Sequence, residues 1–248
     1  MLQLWRENYY KDEKIMALPK LDTPVYTLQL PSTGEDIKYR PFLVKEQKTM
    51  MILQEGDNKK DVYNALTTMV KSCTFDSVKV DKLPVFDFEY IFLKIRCKSV
   101  GETAELNILC PDDDETRVPV KINLDEIDVQ VSDDHVDTIQ VTDDINIVLR
   151  WPTIKDVCDI DTDDLVENTM KLLEKCITEI TDGDKVHKRV DFNNKELTEF
   201  VDSLPTDTFE EIGKFFDTMP KLREIIKVKN PNTKVESEVT VEGIDNFF

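Results

Sequence analysis

The side chains in this sequence that could do chemistry are mostly carboxylates, with very few histidines. The 248 residues include 51 Asp and Glu but only two histidines, His135 and His187. Neither histidine belongs to an HExxH motif or to a close histidine pair, so the sequence predicts no histidine-based metal site and no catalytic triad. The six glycines form neither GxGxxG nor GxxxxGK[ST], which excludes the familiar phosphate-binding loops.

One acidic segment begins like a calcium-binding loop. Asp159, Asp161 and Asp163 have the spacing of the first three ligands of an EF-hand. The sixth position of that loop must be Gly and the twelfth must be a bidentate Glu, whereas this sequence has Asp164 and Met170. We therefore interpret the segment as the acid-rich N-terminus of a helix, where carboxylates interact favourably with the helix dipole.

The remaining reactive groups form no recognisable set of ligands. Residues 112–115 are all acidic and are interpreted as the solvated tip of a hairpin. Two facing carboxylates could support glycoside hydrolysis, but nothing singles out a pair among so many acids. The cysteines are odd in number, widely spaced and without a CxxC motif, so we interpret them as reduced thiols in the core. They are Cys73, Cys97, Cys110, Cys158 and Cys176. The sequence thus predicts no metal site and no cofactor.

The most apolar segment predicts the element that organises the rest of the fold. Its apolar residues recur at helical spacing on one face, with a second apolar stripe beside it. The first face has Phe88, Ile91, Phe92 and Ile95, and the second stripe has Phe86, Tyr90 and Leu93. A helix that is apolar on two sides is usually covered from two directions. Gly101 then ends the helix, and apolar residues alternate in a hairpin over residues 104–124.

Other periodicities predict helices and further hairpins. Residues 25–42 are predicted to form a hairpin with its turn at 32–35. Two helices follow. The first covers residues 43–54 and is ended by Gly56, and the second starts from a cap at Asp57 or Asn58. Strands are predicted over 136–140 and 145–151. A long helix capped by Asp163 or Asp164 keeps one apolar face as far as Ile180, and a turn follows at 181–184. Short helices start at the caps Asn193 and Thr206, and a hairpin turns at 230–233.

These elements predict an α+β fold, in which helical segments combine with several antiparallel β-hairpins. No internal repeat is evident. Changes of pattern and charge divide the chain into a peripheral N-terminal arm (1–15), a hairpin with helices (16–100), an acidic β-hairpin region (101–150) and a helical C-terminal region ending in a hairpin (151–248).

The charge is distributed unevenly along the chain. Residues 1–100 are close to neutral, whereas residues 101–150 carry 3 basic and 14 acidic side chains, within a total net charge of −19. Because binding to phosphate backbones requires clustered Lys and Arg, this surface disfavours nucleic acid. No apolar run reaches the roughly 20 residues of a membrane span, so we expect no membrane span and a protein that is soluble when made.

Three segments resemble the baseplate protein family of T-even-type contractile-tailed bacteriophages. They are an opening MALPKL over residues 16–21 with a strand ending LPSTG at 34, the sequence RCKSVGE at 96–102, and the end TVEGIDNFF at 240–248. That family contains the baseplate hub subunit and the related hub assembly catalyst. The resemblance extends from residue 16 to residue 248 and implies a protein of the phage baseplate.

The same resemblance raises the question of zinc. In the family, two hairpin turns can look like zinc-ribbon knuckles with CxxC motifs. Here the first turn has only Cys110, with Asp113 at the second cysteine position, and the turn at 230–233 has no cysteine. Structural zinc requires four nitrogen or sulfur ligands, so we predict that the purified protein contains none. Stoichiometric zinc in a metal analysis would contradict this prediction.

The resemblance and the lack of catalytic motifs predict a non-enzymatic structural subunit of a contractile-tail baseplate hub. It would contact other hub and tail proteins, reside in the virion tail baseplate, and be made and assembled in the host bacterial cytoplasm. The alternatives are an assembly catalyst absent from the virion and, more remotely, a carboxylate-dependent cell-wall hydrolase. The interface candidates are the aromatic end of the chain and then the arm. They are Ile244, Phe247, Phe248, Trp5, Tyr9 and Tyr10.

Overall fold

A computed structural model describes residues 21–54, 59–160 and 164–243. In these ranges the chain forms seven α-helices and eleven strands, arranged in small antiparallel sheets, which confirms the predicted α+β class. Gly56, Asp57, Asn58, Asp161 and Asp163, which were assigned roles as helix signals or loop ligands, lie outside the described residues.

The first part of the chain follows the predicted order of elements. A hairpin of β1 and β2 leads to two helices, then to the long apolar helix and the acidic hairpin. The elements are β1 (Tyr26–Gln29), β2 (Asp36–Tyr39), α1 (Val44–Gln54), α2 (Lys59–Cys73), a 3-10 turn (Val80–Lys82), α3 (Val85–Val100), β3 (Thr103–Leu109) and β4 (Arg117–Asn123). Gly34 adopts a positive φ of 72° in the first turn, as a tight hairpin requires.

The second part adds a four-stranded sheet, four helices and a final hairpin. The elements are β5 (Asp128–Gln130), β6 (Thr138–Gln140), β7 (Ile145–Leu149), α4 (Ile154–Cys158), α5 (Leu165–Cys176), β8 (Ile177–Asp182), β9 (Lys185–Lys188), α6 (Asn194–Asp202), α7 (Thr206–Thr218), β10 (Lys221–Lys229) and β11 (Glu236–Glu242). The sheets have the orders β1-β2, β3-β4, β6-β7-β8-β9 and β11-β10-β5. Strand β5 is not anticipated by the sequence patterns.

Helix α3 is covered from two directions, as its two apolar stripes predict. Phe88 and Ile91 pack in a cluster with β1, β2 and α2, whereas Leu93 and Cys97 pack in a second cluster with β3, β4, β10 and β11. A third cluster fills the space between the four-stranded sheet and helices α5, α6 and α7. These clusters describe the packing, and the four predicted domain segments stay a prediction.

The predicted extension of the long helix to Ile180 is wrong. Helix α5 ends at Cys176, and Ile177 begins strand β8, which pairs with β7 on one side and β9 on the other. The segment Ile-Thr-Glu-Ile-Thr is rich in β-branched residues, which favour a strand, and its pairing with β7 overrides the helical spacing. The predicted turn at 181–184 therefore closes the β8-β9 hairpin, with Gly183 at φ 56°.

The structure also overturns the expectation that the chain has no internal repeat. In each half a hairpin is followed by two helices, a Leu-Pro segment that begins a further helix, and a second hairpin. The first half runs from β1 to β4, and the second runs from β6 to β11 with the β8-β9 hairpin and α6 inserted. The sequence VDKLPVFDF at 80–88 corresponds to VDSLPTDTF at 201–209, and YRPFLVKE at 39–46 corresponds to LRWPTIKD at 149–156.

Backbone hydrogen bonds support this correspondence. Leu83 N–H donates to the Val80 carbonyl over 3.1 Å, and Leu204 N–H donates to the Val201 carbonyl over 3.2 Å. Likewise, the amide of Arg40 donates to a cysteine carbonyl at the end of α2, and the amide of Arg150 does so at the end of α5. In the described part of the chain, β1 to β4 and β6 to β11 therefore form two similarly built halves.

Candidate functional site

The interface candidates predicted near the two ends of the chain lie outside the described residues. They are Ile244, Phe247, Phe248, Trp5, Tyr9 and Tyr10. As candidates for interaction they stay a prediction. Among the described residues, the two halves of the chain make a direct contact with each other.

This contact joins a segment of the second half to a segment of the first. We call residues 152–154 the second strap and residues 83–85 the first Leu-Pro segment. Ile154 N–H donates to the Leu83 carbonyl over 3.2 Å, Val85 N–H donates to the Pro152 carbonyl over 3.1 Å, and Pro84 and Thr153 form an antiparallel bridge. The side chain of Ile154 is 2% exposed and joins the core cluster of the first half.

An arginine and a carboxylate hold the second strap in shape. Arg150 donates to both oxygens of Asp156, with N–O distances of 2.7 and 3.1 Å, and also to the Lys175 carbonyl at the end of α5. Asp156 in turn accepts from the backbone and hydroxyl of Thr153 and completes a capping box at α4. Burial raises the pKa of Asp156, but the hydrogen bonds from Arg150 and Thr153 outweigh it and hold the pKa below its usual range.

The first half contains the same arrangement. Arg40 donates to Glu46 over 2.9 Å and to Ser72 at the end of α2 over 3.0 Å, while Glu46 accepts from the amide of Leu43 over 2.8 Å. Burial raises the pKa of Glu46, but the hydrogen bonds from Arg40 and from the Leu43 amide outweigh it and lower the pKa to about 2. This pair shapes the equivalent strap, residues 42–44, which we call the first strap.

Two acidic and amide-rich turns meet elsewhere in the molecule, at the ends of the β3-β4 and β10-β11 hairpins. Asn230 is 1% exposed, and its Nδ2 donates to Asp112 over 3.1 Å and to Asp113 over 2.8 Å. Thr233 also donates to Asp112, and Asn230 Oδ1 accepts from the amides of Asn232 and Thr233. The acidic turn is thus a joint between hairpins as well as a solvated tip. These hydrogen bonds connect the two turns for which the family resemblance raised the question of zinc, and the absence of zinc stays a prediction.

Replacing Asn230 by alanine is expected to destabilise the protein by roughly 1–3 kcal/mol, because the hydrogen bonds of its buried amide with Asp112, Asp113 and the amides of Asn232 and Thr233 are lost. Chemical denaturation followed by circular dichroism measures the change. Asn107→Ala is the matched control, since Asn107 is an exposed strand residue. Equal stability of the two variants would show that the joint contributes nothing.

A half-buried histidine lies beside the second strap. Trp151 Nε1 donates to His135 Nε2 over 2.9 Å, and His135 Nδ1 lies 3.0 Å from the hydroxyl oxygen of Thr218, whose own proton goes to the Lys214 carbonyl. These partners fit a neutral imidazole with its proton on Nδ1. Burial lowers the pKa of His135, which outweighs the opposite effect of Asp137. His135 therefore accepts a structural hydrogen bond from Trp151 at the end of a turn.

We expect the stability contribution of His135 to depend on pH. Because its pKa is lowered in the folded protein, the contribution is complete above the pKa of about 6.5 of an unfolded-chain histidine and is lost as pH falls towards the folded value. Unfolding free energies of wild type and His135→Gln at pH 8 and pH 5.5 test this, with His187→Gln as the exposed control. The wild-type advantage over His135→Gln should shrink at the lower pH, and an unchanged advantage would contradict the assignment.

The described residues contain no group of three or more His, Cys, Asp or Glu side chains that could hold a metal ion. Burial raises the pKa of all five cysteine thiols, so they are protonated at neutral pH. Within the described ranges, no helix is both long and apolar enough to cross a bilayer.

Comparison with known protein families identifies the family of the chain. Residues 23–248 match the model of a family described as T4 bacteriophage base plate protein. The chain belongs to this family. The resemblance carried by the three sequence segments is thereby confirmed, and the protein is related to the baseplate of a bacteriophage. No curated protein and no solved structure matches. Membership of the baseplate family implies contacts with other phage proteins.

The straps of this baseplate protein were not identified from its sequence. The signal that could have found them is the shared spacing of Arg40 to Glu46 and of Arg150 to Asp156, each with Lys before the carboxylate. Each of these residues taken alone is an ordinary charged residue. The shared spacing of the two pairs becomes visible only when the sequence is aligned with itself.

Proposed function

We propose that this protein is a non-enzymatic structural subunit of a contractile-tail baseplate hub, which acts through contacts with other hub and tail proteins in the virion. The observation that carries the proposal is the family match over residues 23–248. The site chemistry supports it, because the arginine–carboxylate pairs and the Asp112–Asn230 joint use their polar groups to fix segments of backbone.

The proposal places assembly in the host cytoplasm and the finished product in the tail baseplate. An acidic surface, with a net charge of −19 for the chain, supports contact with proteins rather than with nucleic acid. It also favours encounter with basic partner surfaces, since electrostatic complementarity steers association.

Inactivation of the gene during infection tests this proposal. We expect electron microscopy to reveal filled heads without functional baseplate-bearing tails, and the wild-type chain supplied in trans to restore them. Morphologically complete particles that fail only at cell-wall penetration or lysis would contradict an assembly role and would favour the carboxylate-dependent hydrolase. An assembly catalyst would give the same arrested tails, and the protein composition of the particle separates it from a subunit.

A further inference from the structure

The repeat makes one contact inside the chain and leaves the equivalent contact open. The second strap binds the first Leu-Pro segment, as described above. Two segments of the repeat are left without this contact. One is the first strap (residues 42–44), and the other is residues 204–206, which correspond to the first Leu-Pro segment and which we call the second Leu-Pro segment. Among the described residues, no backbone hydrogen bond joins these two segments.

The open strap is exposed where the occupied strap is buried. Val44 corresponds to Ile154, and their exposed fractions are 67% and 2%. Leu43 is also exposed, whereas Thr153 lies in the bridge of the occupied contact. Helix α1, which follows the strap, has Glu46 as its buried side chain among those described and presents Met51 to solvent.

The second Leu-Pro segment is open in the same way. Phe209 corresponds to Phe88, and their exposed fractions are 40% and 1%. Pro205 and Thr206 are exposed, and the amide of Thr206 and the carbonyl of Leu204 correspond to the groups that the second strap binds in the first half. The local backbone is already in the required shape, since Pro205 (φ −61°, ψ 152°) matches Pro84 (φ −52°, ψ 149°).

The charges around the two open segments are complementary. Lys45 and Lys48 are exposed on α1, and the one acid of that helix, Glu46, is buried and pairs with both Arg40 and Lys45. The first two turns of α7 expose Asp207 and Glu210. Opposite charges on facing surfaces favour encounter and fix their relative orientation.

We propose that the second Leu-Pro segment of one copy binds the first strap of another copy, so that the chain associates with itself head to tail. The contact repeats between molecules the strap contact that joins the two halves within one molecule. Because the two surfaces differ, the association is heterologous and produces a ring if the rotation closes or a filament if it does not. This goes beyond the proposed hub role and is independent of it.

The contact between copies is weaker than the contact within the chain. The internal contact includes an edge-to-face pair of Phe86 and Trp151, with ring centroids 5.1 Å apart. Pro41 and Asp207 occupy the corresponding positions of the open segments. We therefore expect a reversible association that increases with protein concentration.

Sedimentation velocity of the purified full-length chain, from about 1 μM to about 100 μM, covers the range of such reversible contacts. The weight-average sedimentation coefficient of the wild type should rise with concentration. Val44→Asp and Phe209→Asp should each abolish the rise. Val190→Asp is the control and should leave the rise unchanged, because Val190 is 90% exposed and far from both segments in sequence.

A mixture of Val44→Asp and Phe209→Asp makes the test specific for head-to-tail contact. Each variant keeps one intact surface, so the mixture should form dimers and nothing larger, while each variant alone stays monomeric. A wild type that is monomeric at every concentration would overturn the proposal, as would association that survives in both variants. Hydrogen exchange at the Val44 amide gives a second measurement: protection should increase with wild-type concentration, and protection independent of concentration would assign the strap to a segment of its own chain.

Discussion

Phe88→Ala is expected to destabilise the protein by roughly 3–5 kcal/mol, the cost of removing a fully buried phenylalanine side chain and leaving a cavity. Phe88 is 1% exposed and packs in the cluster formed by α3, β1, β2 and α2. The effect should be large because α3 is shared: its other face carries Leu93 and Cys97 in the second cluster. Loss of packing on one side therefore loosens the element on which both clusters depend.

The repeat supplies a matched control for this prediction. Phe209 occupies the equivalent position of the second half and is 40% exposed, so Phe209→Ala should change the unfolding free energy of the monomer by less than about 1 kcal/mol. Urea denaturation of dilute protein, followed by circular dichroism, measures both variants. Similar losses for the two variants would contradict the assignment of Phe88 to the core and of Phe209 to the surface.

Glu46→Ala is expected to cost about 3–5 kcal/mol, because it leaves the guanidinium of Arg40 buried without its counter-charge. Both side chains are less than 10% exposed, and Glu46 also fixes the amide of Leu43 in the first strap. Glu199→Ala is the control, since Glu199 pairs with Lys195 on the surface, where such a pair contributes about 0–1 kcal/mol. A loss no larger than that of the control would contradict the structural role of the pair.

The contribution of Glu46 should also disappear in acid. Its pKa is lowered from 4.5 to about 2 in the folded protein, so the stabilisation is complete above pH 4.5 and is lost as pH falls towards 2. The stability difference between wild type and Glu46→Gln, measured at pH 6 and pH 3, should be smaller at pH 3. A difference that is independent of pH would show that the carboxylate charge is not what holds Arg40.

Local pattern was sufficient to predict most elements of this fold. The two apolar stripes of α3 predicted a helix covered on two sides, because the spacing of Phe88 and Leu93 reports directly which faces are buried. Hairpins were predictable where a proline-containing or glycine-containing turn separates alternating strands. The predicted cap Asn193 is confirmed, and of the two residues predicted as the cap of α5 it is Asp164 that caps the helix. The predicted cap Thr206 is wrong, because Thr206 is the first residue of α7 and Pro205 precedes it without a side-chain cap. The strands predicted at 136–140 and 145–151 are shorter in the structure, as Thr138–Gln140 and Ile145–Leu149.

Long-range contacts were not predictable in the same way. The position of Ile180 fitted the helical spacing of α5, but Ile180 lies in strand β8, because pairing with β7 stabilises the strand at this point. Strand β5 has three residues and exists because Leu222 and its neighbours in β10 provide an edge for it. The straps depend on contacts between distant residues, such as Leu83 with Ile154, for which a single sequence gives no local signal.

The measurement that tests the central claim most directly is quantitative mass spectrometry of purified phage particles, with this chain counted against a tail protein of known copy number. If the chain is a structural subunit of the baseplate hub, its peptides should be present at a small and constant number of copies per particle. Absence from particles, with abundant chain in infected cells, would contradict a structural subunit and would identify an assembly catalyst instead.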